Sequence, residues 1–332
     1  MATHDIITIG ASAGGVEPLQ RLVSLLPAKL PAALFIVLHI PQDSPSLLPD
    51  LLQRAGSLPA LAPFDNTPVE NGRIYIAPPG RHMLLEAGRV RIIYGPKENR
   101  HRPAIDPLFR SAALAYCSRV VGVVLSGNLD DGTAGLLAIK AYGGTTVVQD
   151  PAEASFPGMP ENALKNVSID HQLSIDEIAE LVIDLANRPV SDAPDHPPPS
   201  VQTEVEFSKM ERDIDDMSEL GGAPTAFACP SCHGALWEFQ NGKLTRYRCH
   251  TGHAFSPESL LAEQSDAIEE ALYSALRALR EKATALRRLA RNYTRLPRLQ
   301  RDYELRASDV EKSADSIRSL LNGAKRPATD ST

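Results

Sequence analysis

Long apolar runs are missing from this 332-residue chain. None approaches the roughly 18 residues of a membrane-spanning helix, and no cationic, apolar leader opens it. Membrane insertion is therefore not expected, and a cytoplasmic location is. Cysteine is scarce: the 4 residues present are too few for a disulfide framework. Three of them fall between Cys229 and Cys249, which points to metal instead; Cys117 closes an apolar helix face and reads as core. Positive charge is not in excess either. A net charge of -7 argues against a general nucleic-acid binder, and no aromatic platform interleaves the arginines of the C-terminal third. No internal repeat is visible. A hydrophobic share of 43% and a charged share of 23% are ordinary for a globular chain with room for two or three domains.

What is present begins at residues 5–15, D-I-I-T-I-G-A-S-A-G-G. Ile6, Ile7, Thr8 and Ile9 form a short β-forming run suited to a buried parallel strand. Gly10, Gly14 and Gly15 surround a single Ser12, and Val16, Leu19, Leu22, Val23 and Leu26 follow at helical spacing. Strand, tight turn and helix lift Ser12 to the carboxyl edge of a sheet and aim free helix N–H groups at it. G-x-S-x-G is the spacing of a nucleophile elbow. A phosphate cradle uses the same geometry, so both readings stand on these residues alone.

Strand-like and helix-like segments alternate through residue 190. Buried strands are expected at 34–38, ending at His39, at 120–125, running into Ser126, and at 145–148. Shorter ones are expected at 73–77, 83–85 and 90–94, and helices at 105–117, 133–142 and 175–185. This pattern predicts an α/β, doubly wound, mostly parallel sheet whose strand carboxyl ends share one edge. Ser12, His39 and the Asp131 loop would then converge, supplying nucleophile, general base and orienting carboxylate. Asp131 is preferred to Asp130 because it directly precedes Gly132 and the helix. The bland readings are a structural strand-end histidine and a solvated helix cap.

Beyond Pro189 the composition changes. Residues 191–202 are Pro-rich and read as an extended linker, so residues 1–190 are expected to fold and act alone. Residues 204–220 carry Phe207, Met210, Ile214 and Met217 at helical spacing, as in a helix laid on another surface. Cys229-x2-Cys232 and Cys249-x3-His253 flank a hairpin-length insert containing Asn241-Gly242. Two short ligand pairs so placed predict a small zinc ribbon holding structural Zn²⁺, with His250 or His233 as alternative fourth ligands. The acidic helix and ribbon together span 203–256. A helical hairpin is expected over 257–322, broken at Pro297, and a disordered tail over 323–332. Arg277, Arg280, Lys282, Arg287, Arg288 and Arg291 fit its solvated or protein-facing side.

The chain resembles a known family. G-A-S-A-G-G, V-L-H-I-P, Y-I-A-P-P-G-R-H-M, R-P-A-I-D-P-L-F-R-S-A-A and L-S-G-N-L-D-D-G-T-A-G occur in the order of the CheB-type protein-glutamate methylesterases, over roughly residues 3–187. The resemblance implies a triad at Ser12, His39 and Asp131 that needs no cofactor for catalysis. It also implies removal of methyl esters, and deamidation of glutamines, on the cytoplasmic helices of chemoreceptors. Ala13 and Asn128 are the implied oxyanion and substrate-binding positions. Asn128 stands where the family has methionine, and Leu129 and Ala13 also depart from its pattern. Arg102 and Arg110 are candidates to neutralise acidic receptor helices, or else a solvated pair. Family members commonly carry a receiver domain before this segment, and here the strand starts at residue 5, so phosphorylation control in cis is not expected. R-C-H-T-G-H-A-F-S-P-E-S-L resembles a C-terminal module of some receiver-less relatives, a candidate dock for other chemosensory proteins. The competing class is a non-catalytic scaffold that binds receptor or kinase.

Overall fold

The computed structural model describes residues 2–190, 200–211, 217–218, 220–241 and 244–324. In chain order its first nine strands are β1 (Ile6–Ala11), β2 (Ala33–Leu38), β3 (Ala60–Leu61), β4 (Ile74–Ile76), β5 (His82–Glu86), β6 (Arg89–Ile93), β7 (Val120–Val124), β8 (Thr145–Gln149) and β9 (His171–Leu173). Seven of them form one parallel sheet in the order β3-β4-β2-β1-β7-β8-β9, while β5 and β6 pair apart from it as an antiparallel ribbon. The chain builds outward from β1 in one direction and then restarts on its other side with β7. The crevice at the carboxyl ends of β1 and β7 is thus the topological switch point, where this architecture leaves room for a site.

Period-two alternation divides the apolar side chains between two faces. Ile7, Ile9, Leu34 and Ile36 pack on helices α1 (Val16–Leu25) and α2 (Leu48–Ala55) and on a later helix through Ile178 and Val182. Ile6, Phe35, Val37 and Val124 pack on α3 (Ile105–Tyr116), α4 (Thr133–Ala141) and α5 (Gly158–Asn166), while Ile178 and Val182 belong to α6 (Ile175–Asn187). Cys117 lies partly buried against the second face.

The next segment departs from expectation. Helix α7 (Ser200–Lys209) begins inside the expected linker and stops at Met210, whose φ of 55° breaks the helical path. Residues 191–199 of the linker, Ile214, Gly242 of the hairpin turn and most of the expected disordered tail lie outside the described residues. Four antiparallel strands follow in the order β10 (Ala223–Ala228), β11 (Ala235–Asn241), β12 (Leu244–Cys249) and β13 (Ala254–Phe255). The expected boundary at residue 190 does not coincide with the compact unit, which runs from Met1 to Leu260. The reason is ionic. Arg246 and Arg248 of β12 point into the same buried cluster as Arg110 of α3, Glu98 and Glu204 of α7. Arg110 was expected in solvent or against substrate. It is 2% exposed and bonds Glu98 at 2.6 Å.

Helix α8 (Pro257–Asn292) leads into the second unit, where α9 (Pro297–Ala324) returns along it. Arg287 pairs with Glu311 at 2.6 Å, Tyr293 stacks on Tyr303, and Leu276, Ala314 and Leu321 share a small core. No helix among the described residues is long and apolar enough to cross a membrane.

Candidate active site

Ser12 follows β1 directly, and its own N–H continues the sheet by donating to Ser126 O at 2.9 Å. Gly14, at φ +67°, then turns the chain into α1. His39 follows β2, anchored by its N–H to Ala11 O. Asp131 lies in the loop from β7 to α4. Because β2, β1 and β7 are adjacent, the three side chains meet. His39 Nδ1 accepts from Ser12 Oγ–H at 3.1 Å, and His39 Nε2–H donates to Asp131 Oδ2 at 2.8 Å. An ionised carboxylate can only accept, so it fixes the proton on Nε2 and leaves Nδ1 free for the serine.

Asp131 is 2% exposed, yet it stays charged. Its Oδ2 also accepts Ile105 N–H at 2.7 Å, and its Oδ1 accepts Asp106 N–H, Gly132 N–H and Asn99 Nδ2–H at 3.2, 3.0 and 3.0 Å. Two of these are first-turn amides of α3, so the carboxylate occupies a helix N-terminus. Gly10 permits this approach: a Cβ there would lie 2.4 Å from Ile105 Cγ2. Burial alone would raise the Asp131 carboxyl, but His39 and these donors hold it well below the ordinary carboxylate range. Its neighbours go the other way. Burial, with the charge of Asp131, pushes Asp106 up to about 6, and burial takes Asp130 to about 7.

His101 stacks on His39, with ring centroids 3.6 Å apart and planes 10° from parallel. Burial, together with the charge of His39, pushes His101 down to about 3, so it is a neutral plate against the His39 imidazole. Ser12, His39 and His101 line an open cleft of about 540 Å³ whose other wall carries Lys97, Arg100 and Arg102. The Arg102 guanidinium lies 3.7 Å from the centroid of the Tyr94 ring and donates to Gly95 O and Gln42 Oε1. Ala13 N–H has no partner among the described residues and borders the same cleft. Asn128 does not line it; this residue is exposed, beside Gly158.

The second cluster lies in the ribbon. Cys229, Cys232, Cys249 and His253 bring their ligand atoms within 4.8 Å of one another. The separations include 3.6 Å for Cys232 Sγ–Cys249 Sγ and for Cys249 Sγ–His253 Nδ1. A metal–sulfur bond of about 2.3 Å in a tetrahedron demands a sulfur–sulfur edge of about 3.8 Å, so the set fits an ion at its centre. His250 is taken up elsewhere, accepting Trp237 Nε1–H at 3.0 Å, and His233 is outside the cluster.

Sequence reading did not single out Asn99, His101 or Lys97, nor the arginines of β12. Their common signal is weak: K-E-N-R-H-R is a polar run that reads as surface loop, although it directly precedes a recognisable motif.

Comparison with known proteins agrees with the geometry. A family model described as CheB methylesterase matches residues 7–182. A Leptospira interrogans relative is 35% identical over 183 residues, 55% of this chain and 95% of its own length. A Rhizobium johnstonii protein named protein-glutamate methylesterase/protein-glutamine glutaminase 2 is 36% identical over 185 residues, 54% of this chain and 50% of that one. The crystal structure of the Thermotoga maritima CheB methylesterase catalytic domain superposes with a TM-score of 0.53 at 33% identity, over 55% of this chain and 98% of that one. With its motifs, its parallel sheet and the meeting of Ser12, His39 and Asp131 accounted for together, this chain belongs to the CheB methylesterase family.

Proposed function

We propose that the chain is a serine hydrolase that removes methyl esters from glutamyl side chains of methylated chemoreceptors and deamidates glutamines at the same site. The observation that carries this reading is the unbroken Ser12–His39–Asp131 line, with links of 3.1 and 2.8 Å. Ser12 Oγ attacks the side-chain carbonyl carbon while its proton passes to His39 Nδ1. Asp131 stabilises the imidazolium through Nε2–H and does not itself take the proton. The oxyanion is met by Ala13 N–H and the positive end of α1. As the tetrahedral species collapses, the C–O bond to methoxide breaks and His39 returns the proton, releasing methanol; from glutamine the leaving group is ammonia. Water, deprotonated by His39, then cleaves the glutamyl–Ser12 ester, yielding a free glutamate carboxylate and a proton.

Lys97, Arg100 and Arg102 on the cleft wall support an acidic helical substrate on the cytoplasmic side, since methylation sites set among glutamates present negative charge. The cysteine–histidine cluster is assigned to one structural Zn²⁺: three thiolates and an imidazole suit this ion and leave no open position. Cys229, Cys232, Cys249 and His253 would hold it, and its role is to fold the ribbon. Leu261, Ile268, Leu305 and Leu320 are exposed on the long helices and support a docking role for that hairpin toward other chemosensory proteins.

The decisive experiment is methanol release from a methylated receptor fragment. Ser12→Ala should lower it by about 10⁵–10⁶-fold if the triad acts as a unit. Asp131→Asn should cost about 10⁴-fold with the fold intact, by favouring the wrong imidazole tautomer. A Ser12→Ala chain retaining a tenth of the rate would dismiss the nucleophile assignment. A wild-type chain that binds receptor without turnover would favour the scaffold.

A further inference from the structure

The side chain of Asn99 sits between the triad and the C-terminal module, and it is only 3% exposed. Its Nδ2 donates to Asp131 Oδ1 and to Asp106 Oδ2, both at 3.0 Å. Its Oδ1 accepts from Ser256 N–H at 3.2 Å and Ser259 Oγ–H at 3.3 Å. Two carboxylates on one side and two donors on the other leave the amide a single orientation. Ser256 and Ser259 are themselves fixed. They cap the start of α8 reciprocally, Ser259 N–H to Ser256 Oγ at 3.0 Å and Ser256 N–H to Ser259 Oγ at 2.8 Å. Ser256 Oγ–H also reaches Asp130 Oδ1 at 2.8 Å, so the same serine contacts both Asn99 and the residue before Asp131.

The main chain repeats the connection. Asn99 N–H donates to Ala254 O at 2.8 Å and Ala254 N–H to Lys97 O at 3.3 Å, which adds residues 97–99 to β13 as a further rung. Asn99 and Arg100 then take φ of 47° and 75°, left-handed values that asparagine tolerates better than most residues. From that turn His101 is laid against His39, and Lys97 and Arg100 reach the cleft wall. The far end of the loop is pinned by His82, whose Nε2–H donates to Pro96 O at 2.8 Å while Nδ1 accepts Ala104 N–H at 3.2 Å.

We infer that Asn99 is a positioning residue for Asp131, and that Ala254, Ser256 and Ser259 of the C-terminal module hold it there, so that the module completes the triad rather than only trailing from it. The inference rests on the methylesterase reading for its rate consequences, but the hydrogen-bond relay is a property of the chain whatever it hydrolyses. Without Asn99, Asp131 Oδ1 keeps only the amides of Asp106 and Gly132 and Oδ2 that of Ile105, so the carboxylate loses its one side-chain anchor other than His39 and is held less firmly against the imidazole.

The test compares the full-length chain with Asn99→Ala, Asn99→Asp and the double variant Ser256→Ala/Ser259→Ala. Asn99→Asp is isosteric but cannot donate; the double variant leaves Asn99 in place with its Ser256 N–H contact, and removes the Ser259 hydroxyl that bonds it and the Ser256 hydroxyl that bonds Asp130. Two quantities are read: kcat and KM on a small glutamyl methyl ester, and the downfield proton resonance of His39 Nε2–H in the free protein. A hydrogen bond to a charged group lost at this distance should lower kcat by about 10- to 100-fold for both Asn99 variants, with KM changed less than about twofold. The serine double variant should fall between them and wild type. In each, the His39 resonance should move upfield or broaden. Loss of fold alone would lower the active fraction and leave that resonance unshifted in the surviving protein. Wild-type kcat with an unshifted resonance in Asn99→Ala and in the serine double variant would overturn the inference. Should the wild type show no Ser12-dependent turnover, the methylesterase reading fails separately, and the resonance still decides the role of Asn99. If Asn99→Ala does not fold, the serine double variant decides alone.

Discussion

Replacing Glu98 by alanine tests whether the ribbon is bonded into the catalytic layer or merely rests on it. Glu98 is fully buried. Its carboxylate accepts from Arg110 at 2.6 Å, Ser208 Oγ–H at 2.7 Å and Arg246 at 3.2 Å, with Arg248 at 3.8 Å. Burial would raise this carboxyl, and the three arginines instead hold it well below the usual range. Three buried guanidiniums face Glu98, Glu204 and, more remotely, Asp106 at 3.7 and 3.9 Å. Deleting Glu98 leaves one cation in excess among three buried guanidiniums. Breaking a buried pair from one side costs about 3–5 kcal/mol, or about 6–20 °C in melting temperature for a unit of this size. The loss should be unevenly shared, because Arg246 and Arg248 lie on β12 whereas Arg110 lies on α3. Trp237, the single tryptophan, sits on β11 and reports the ribbon, while far-UV circular dichroism reports the parallel sheet and helices. In the variant the tryptophan signal should unfold first in urea, splitting from the dichroism transition. Coincident transitions within about 1 kcal/mol of wild type would refute the idea that this cluster welds the two sheets.

Two further outcomes are expected. Elemental analysis of protein purified without chelators should find about one zinc per chain; chelation should shift the Trp237 emission, since metal-coupled folding of such modules is worth about 10–16 kcal/mol, and absence of zinc would remove the assignment. Asp130, pushed up to about 7 from 3.8 by burial, takes up a proton on folding. Its folded value is the raised one, so the stability it contributes is full below about pH 4 and is lost as pH rises through about 7. Asp130→Asn should therefore flatten the fall of urea midpoint between pH 4 and 7 by up to about one proton's worth, and an unchanged slope would count against the buried, protonated state.

The division between what sequence reveals and what it hides is physical. The parallel sheet was legible because buried strands are short apolar runs and amphipathic helices repeat at 3.6 residues: residues 34–38 and 120–125 announced β2 and β7. Ser12, His39 and Asp131 were legible because strand ends in such a sheet must share an edge. Cys229, Cys232, Cys249 and His253 were legible because metal ligation demands short, repeated spacings that little else imposes. All of these are local patterns, or consequences of a topology that local patterns fix.

The remaining features arise from pairing across long stretches of chain. Arg110 and Arg246 are charged residues on regular elements; sequence alone reads Arg110 as receptor-facing or solvated and does not single out Arg246. Only packing turns the two into opposite walls of one ionic cluster around Glu98. Asn99 and Ser256 are 157 residues apart and share no periodicity, yet the fold joins them in one amide relay to Asp131. Sequence determined which side chains gather at the sheet edge, because their positions follow from local period and strand polarity. Tertiary structure alone decided what holds them, because a buried charge or amide takes whatever partner the docking of distant elements supplies.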